Sequence, residues 1–367
     1  MDKQIFNQLS HLLSSIDEKT YSSYKNSIET FTDYVNNAIK QKGNLSILIG
    51  SNPFELVEMN HKNHANFMYS IFVTKDVQSM HDTYIWAYQT YHAKGFNFRY
   101  FYFELIAWRE SFELHHEKSL APIIELYNYL ISLHDYFIQH ATSTNDEAPN
   151  NIDREIYSKF LDAILKPDMT EAISISNTFI KKDEDIKSFW EQIILPALYS
   201  VGNKWADAEI SVGEEHTATS ICQRVMSEHY GKIIRHVESS KKILVTTSPN
   251  ELHEVGARML ADILELNGYD ITFLSSNSSI KEKLDVIELE DIEFVVISTT
   301  IVSNIVKTQE IVSQIRDTFK ENSPSIIIGG QAFVKNPDAN ELIQADYVIQ
   351  SANEVLDLLK KEGCSND

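Results

Sequence analysis

The chain has 367 residues, a formal net charge of −21 and 43% hydrophobic residues. The length exceeds what one core usually supports, the apolar content suffices for packed cores, and the acidity argues against a broad nucleic-acid-binding face. Its two cysteines, Cys222 and Cys364, leave no basis for a disulfide framework.

The N-terminus, Met1-Asp2-Lys3-Gln4, has no basic stretch followed by an apolar run, so no signal peptide is expected. No apolar run reaches the roughly 20 residues that span a bilayer. The expectation is a soluble cytoplasmic protein with neither membrane nor nucleic acid as partner. Residues 1–142 read as all-helical. The stretch from Tyr84 to His116 is dense in aromatics, Trp86, Tyr88, Phe101 and Trp108 among them, and also holds His92, His115 and His116. The group His61-Lys62-Asn63-His64 shows no partner set and reads as surface or local helix contacts.

Thr142 to Asn151 is polar and aperiodic, a predicted linker. Residues 152–237 then read as four helices with short connections: Ile152–Leu165, Thr170–Lys181, Ile186–Trp205 with a kink at Pro196, and Glu214–His236. Ser211-Val212-Gly213-Glu214 is a capping box, so Trp205 closes one helix and Glu215-His216 lie at the start of the next.

In 241–367 the period changes. Strands are expected at Ile243–Thr247, Ile271–Ser275, Phe294–Ser298, Ser325–Ile328 and Tyr347–Ile349. Helices lie between them, and Val355–Lys361 closes the chain. Alternating apolar strands and helices predict a Rossmann-like (flavodoxin-like) parallel sheet. Ligands of such sheets bind beyond the strands' carboxyl ends. The loop after the first strand has no GxGxxG. It reads Glu251-Leu252-His253-Glu254-Val255-Gly256. A metal-binding histidine usually gives its second ring N–H to a carboxylate, a role open to Glu251, while Gly256 lets a bulky group approach the backbone.

Glu251-x-His253-x-x-Gly256 resembles the (Asp/Glu)-x-His-x-x-Gly motif of cobalamin-binding domains. The resemblance implies that His253 is the lower axial cobalt ligand. It also implies that the displaced nucleotide tail enters the sheet domain, lined by Ser298 and by Gly329-Gly330. The family's Ser-x-Leu reads Ser298-Thr299-Thr300 here, a departure at Thr300. Trp205, nine residues and then Glu215-His216 resembles adenosylcobalamin photoreceptors, the sensory part of light-dependent MerR-type repressors. That likeness implies a cobalamin cap in which Trp205 covers the adenosyl group while Glu215 and His216 hold it or meet a neighbouring subunit. It further implies a homo-oligomer, dimer or tetramer, whose assembly changes when light breaks the cobalt–carbon bond, with a separate output protein a further option. Some members carry a histidine directly after the tryptophan. Here Ala206 stands there.

The N-terminal domain, all-helical and aromatic-lined, resembles a globin or phycobiliprotein-type sensor, and the whole resembles photocobilins. That implies biliverdin, held by aromatic walls with Arg99, Arg109 or a histidine, and non-covalently because no cysteine precedes Cys222. Haem on His92, or a plain aromatic core, are the other readings. The competing function is a methylcobalamin-carrying corrinoid protein of a methyltransferase system. A mutase subunit would need a separate catalytic barrel. No Ser-His-Asp, HExxH or P-loop pattern is present, and no enzymatic turnover is expected.

Overall fold

The computed structural model describes residues 2–115, 117–141, 153–233, 241–335 and 339–363. The linker expected at 142–151, His116 and Cys364 lie outside them. The chain forms two compact units, Met1–Asp146 with Ala206–Ala208, and Glu147–Trp205 with Glu209–Asp367. No helix among the described residues is long and apolar enough to cross a membrane.

Among the described residues, the regular structure of the first unit is all helical. Its long helices are Glu18–Lys40, Phe54–Thr74, Val77–Ala93 and Phe98–Leu114, with shorter ones at Asp2–Ser14, Leu45–Ile49, Ala121–Ser132 and His134–Ala141. Asp17, Asp76 and Asn97 begin three of them by accepting backbone N–H bonds with their side chains. The aromatic stretch packs largely on itself and on neighbouring helices. Tyr88 stacks on Phe101 at 4.1 Å, and Phe112 meets Phe31 edge to face at 5.0 Å. Trp86 and Tyr102 are exposed. Arg99 lies over the Phe103 ring, Arg109 pairs with Glu113 at 3.5 Å, and His92 Nδ1–H donates to the Phe96 carbonyl at 2.9 Å.

The surface reading of His61 and His64 is corrected. His61 is fully buried, 2.6 Å from Asn36 Oδ1 through Nδ1 and 2.9 Å from the Tyr100 hydroxyl through Nε2. His64 stacks on Trp108 at 5.1 Å and meets the Tyr127 hydroxyl at 2.8 Å. The physical reason is helical phase: Val57, His61, Ala65, Met68 and Phe72 share the buried stripe of their helix.

The second unit begins with four helical segments, Arg154–Leu165, Met169–Phe179, residues 184–205 and Val212–Glu228, followed by the short Tyr230–Ile233. The expected kink at Pro196 takes a specific form. Trp190–Ile194 is a π-helical turn, and the Leu195 N–H reaches back five residues to the Trp190 carbonyl. Proline has no N–H to offer its own i−4 carbonyl, and the wider turn just before it absorbs that mismatch. The fourth helix stops earlier than expected, at Glu228. The next residue, His229, is buried and bonds Ser176 of the second helix at 2.9 Å.

Strands β1 (Lys242–Thr247), β2 (Asp270–Leu274), β3 (Phe294–Ser298), β4 (Ser325–Gly329) and β5 (Tyr347–Ile349) form one parallel sheet in the order β2-β1-β3-β4-β5. The apolar runs of β1, β3 and β4 are buried because helices cover both faces, while the edge strand β2 is half-buried along its length. The cap packs on one face through a continuous apolar core that includes Phe189, Trp190, Val245, Val296 and Ile327. Polar ties reinforce the seam: Trp190 Nε1–H donates to Asp262 at 3.2 Å, Gln331 to the Tyr199 hydroxyl at 2.9 Å, and Lys187 to Asn353.

Candidate functional site

Connections leave β1 and β3 in opposite directions, so their carboxyl ends flank the crevice where doubly wound sheets take ligands. The loop after β1 is shaped by its own sequence. Ser248-Pro249-Asn250-Glu251 is a tight turn in which the Glu251 N–H bonds the Ser248 carbonyl at 3.1 Å and Asn250 takes a left-handed φ of 61°. Proline then asparagine suits those two central positions.

The turn drives Glu251 inward and leaves His253 outward. Glu251 Oε1 lies 2.7 Å from His253 Nδ1, with the glutamate fully buried and the histidine side chain 58% exposed. A carboxylate only accepts, so Nδ1 carries the proton and the Nε2 lone pair is left for a ligand to use. Glu251 Oε2 is held as firmly, by the N–H groups of Thr300 at 3.0 Å and Ile301 at 2.9 Å and by Asn304 Nδ2 at 3.0 Å. Burial alone would raise the Glu251 carboxyl. The bonds from His253, Ile301 and Asn304 outweigh it and hold the carboxyl at about 2. The Glu251 hydrogen bond raises His253 above its ordinary value, and the charge of Glu215 in the cap adds to that rise. Glu215 therefore lies within electrostatic reach of His253. Its own side chain accepts from Thr219 at 3.1 Å and sits 3.3 Å from the exposed His216.

A cavity of about 300 Å³ opens between the cap and the carboxyl ends of β3 to β5. Gly256, Ser298, Thr300, Gly329 and Gly330 all line it. Trp205, half-buried in the last turn of Glu184–Ala206, is not part of that lining, nor are Glu215 and His216. The two sheet glycines have structural reasons. A Cβ on Gly329 would stand 2.7 Å from the Ile349 carbonyl, and one on Gly330, at φ +101°, 2.4 Å from the Thr299 carbonyl. Gly256 has none inside the chain, since a Cβ there meets nothing within 4 Å. Two buried hydroxyls at the end of β1, Thr247 Oγ1 and Ser248 Oγ, have no hydrogen-bond partner. An open glycine, unpaired hydroxyls and an outward imidazole are what a large ligand seated over this loop would complete.

Asn304 and Lys307 were absent from the sequence-level site. Lys307 Nζ donates to Asn304 Oδ1 at 2.9 Å and so extends the chain of bonds behind Glu251. At Thr300 the contact to Glu251 is made by the backbone N–H. That contact needs no particular side chain, so the departure from leucine there leaves the Glu251 anchor intact.

Comparison with known proteins follows the same division of the chain. Residues 241–360 match a family model described as a B12 binding domain, and residues 156–228 match a second model of the same description. None of the curated proteins matches. Among solved structures, a Methanosarcina barkeri monomethylamine corrinoid protein aligns at 15% identity with a TM-score of 0.49, covering 56% of this chain and 98% of that one. A cobalamin-binding protein from Desulfitobacterium hafniense aligns at 19% identity with a TM-score of 0.32, over 56% and 97% of the two chains. The methanol:cobalamin methyltransferase complex of Methanosarcina barkeri aligns at 14% identity with a TM-score of 0.29, over 59% and 85%. The helical cap and the parallel-sheet domain are thus each similar to a B12 binding domain.

Proposed function

We propose that the chain is an adenosylcobalamin-binding light sensor in which His253 Nε2 is the lower axial cobalt ligand. The observation that supports cobalt ligation is the Glu251–His253 pair, with the carboxylate buried and doubly anchored and the second ring nitrogen free to bind, and the sensor part of the reading rests on the spacing of Trp205 and Glu215-His216. Gly256, Ser298, Thr300, Gly329 and Gly330 take the nucleotide tail. Trp205, Glu215 and His216 serve the upper face. The indole packs on the adenosyl group, and the Glu215 carboxylate accepts from its hydroxyls or amine. The cofactor supplies a light-labile cobalt–carbon bond. The chain supplies a cap whose packing differs with and without an adenosyl group, and hence a choice between assembly states of a cytoplasmic homo-oligomer.

The test is reconstitution of the full chain in the dark with adenosylcobalamin, followed by absorption spectra and gel filtration before and after green light. A spectral change with altered oligomeric state is expected. Identical dark and light profiles would overturn the sensor. Methyl transfer from bound methylcobalamin to a thiol or folate acceptor would instead establish the carrier reading, which uses the same histidine. Biliverdin in the first unit is proposed as a second, non-covalent chromophore. Because that unit's rings pack closely on one another, a pigment must use the exposed Trp86 and Tyr102 or displace core rings. Its test is visible absorbance retained on gel filtration after incubation with biliverdin.

A further inference from the structure

We propose that Glu104, in the core of the first unit, is a proton switch: protonated, it closes a one-way line of hydrogen bonds through Tyr100 and His61 to Asn36, and loss of the proton breaks that line and loosens the helices it joins. Tyr100, Glu104 and Trp108 recur at every fourth residue of the helix Phe98–Leu114, so they share one face, and all three are buried. Trp108 Nε1–H donates to Glu104 Oε1 at 3.3 Å, and the Tyr100 hydroxyl bonds the same carboxyl. Beyond Tyr100 the line runs to His61 Nε2 at 2.9 Å, and from His61 Nδ1 to Asn36 Oδ1 at 2.6 Å. It ties the helix Phe98–Leu114 to Phe54–Thr74 and to Glu18–Lys40.

The direction of the line follows from counting donors. Asn36 Oδ1 only accepts, so His61 Nδ1 carries the ring proton, and burial keeps that ring neutral by driving it down to about 3. Nε2 therefore accepts, and the single O–H of Tyr100 is used there. The phenol oxygen is left to accept from Glu104. A carboxylate has nothing to donate, so the line closes only when Glu104 holds a proton. The groups that face Glu104 are neutral. They are the phenols of Tyr84, Tyr88 and Tyr91 from the helix Val77–Ala93 and of Tyr127 from Ala121–Ser132, all raised by burial. His64, stacked on Trp108, is likewise held down at about 3. Tyr24 of Glu18–Lys40 bears on Tyr84 and Tyr127, and Asp135 of His134–Ala141 on Tyr88. Burial lifts the Glu104 carboxyl to about 7, against the bonds from Trp108 and Tyr100.

On ionisation the proton leaves to solvent, and the new carboxylate draws the Tyr100 O–H to itself. His61 Nε2 then loses its donor inside the core. The sign is definite: an ordinary glutamate ionises at 4.5 and this one at about 7, so the lock is at full strength below 4.5 and is lost as pH rises through about 7.

The experiment compares the full-length chain with Glu104→Gln and Tyr100→Phe on both sides of about 7, by infrared spectroscopy and amide hydrogen exchange. An amide at 104 still donates to Tyr100 and accepts from Trp108, so Glu104→Gln holds the line closed at every pH. The wild-type spectrum minus that of Glu104→Gln should show the carbonyl band of a protonated carboxylic acid below about 7 and lose it above. Exchange protection of the helix Phe98–Leu114, taken as the ratio of wild type to Glu104→Gln at equal pH, should fall by at least about tenfold over the same rise. Tyr100→Phe removes the donor that a carboxylate would recruit, so it should move the loss of the band to higher pH, which a merely structural role would not do. No acid band in that difference spectrum would overturn the proposal at Glu104. A band that titrates while the exchange ratio stays flat would leave a buried acid but no switch. An unmoved midpoint in Tyr100→Phe would overturn the line through the phenol.

Discussion

His61 in the first unit and His253 in the second show the same side chain put to opposite uses. His61 is buried and has both nitrogens occupied, so it is a finished piece of core, and burial drives it down to about 3. His253 is exposed, has one nitrogen tied to a buried carboxylate, and is shifted upward. The lesson is that availability marks a ligand more than burial or a motif does. One partner that fixes the tautomer plus one open lone pair makes a metal-binding group, whereas two partners make a structural one.

Four measurements break or sharpen that contrast. The largest effect is expected from His253→Ala, which should cut corrinoid affinity by at least about a hundredfold and remove any spectral sign of a nitrogen lower ligand, with the fold intact by circular dichroism. Uptake with an unchanged spectrum would defeat the assignment. Glu251→Gln comes next, at roughly 10–100-fold in affinity, because it loses the charge that the imidazole N–H, two backbone amides and Asn304 converge on.

His61→Phe should leave corrinoid affinity alone and destabilise the first unit by about 1–3 kcal/mol, since Asn36 and Tyr100 lose their shared partner. Its pH dependence has a definite sign. The folded value of about 3 lies below the ordinary 6.5, so the unfolded chain binds more protons between them. The stability difference between wild type and variant is therefore full above pH 6.5 and shrinks as pH falls toward 3. A difference that grows with acid in chemical denaturation series would contradict the buried neutral ring. Thr300→Ala should be the mildest, changing affinity by roughly twofold or less, because Glu251 is held there by backbone.

Much of the second unit was legible because its signals are local. The capping box at Ser211 and Glu214 forms with both bonds in place, and five apolar runs become five strands within a residue or two. The Glu251–His253 contact spans two positions. Asn304 was not legible, because 53 residues separate it from Glu251 and only the adjacency of β1 and β3 joins them. His61 left a signal that was passed over: its place on the stripe from Val57 to Phe72. The bond from the Thr300 backbone to Glu251 was not legible either, as sequence names a side chain and cannot say that the peptide group does the bonding.

The wide turn at Trp190–Ile194 carries a consequence for the far end of its helix. It accommodates one residue more than regular winding would, and each residue advances a helix by about 100° and 1.5 Å. Residues downstream, Trp205 included, therefore keep the facing that a regular helix one residue shorter would give them. A deletion within this turn would leave the indole pointing as it does, whereas a deletion in the regular winding of residues 195–204 would swing it about a quarter-circle around the axis.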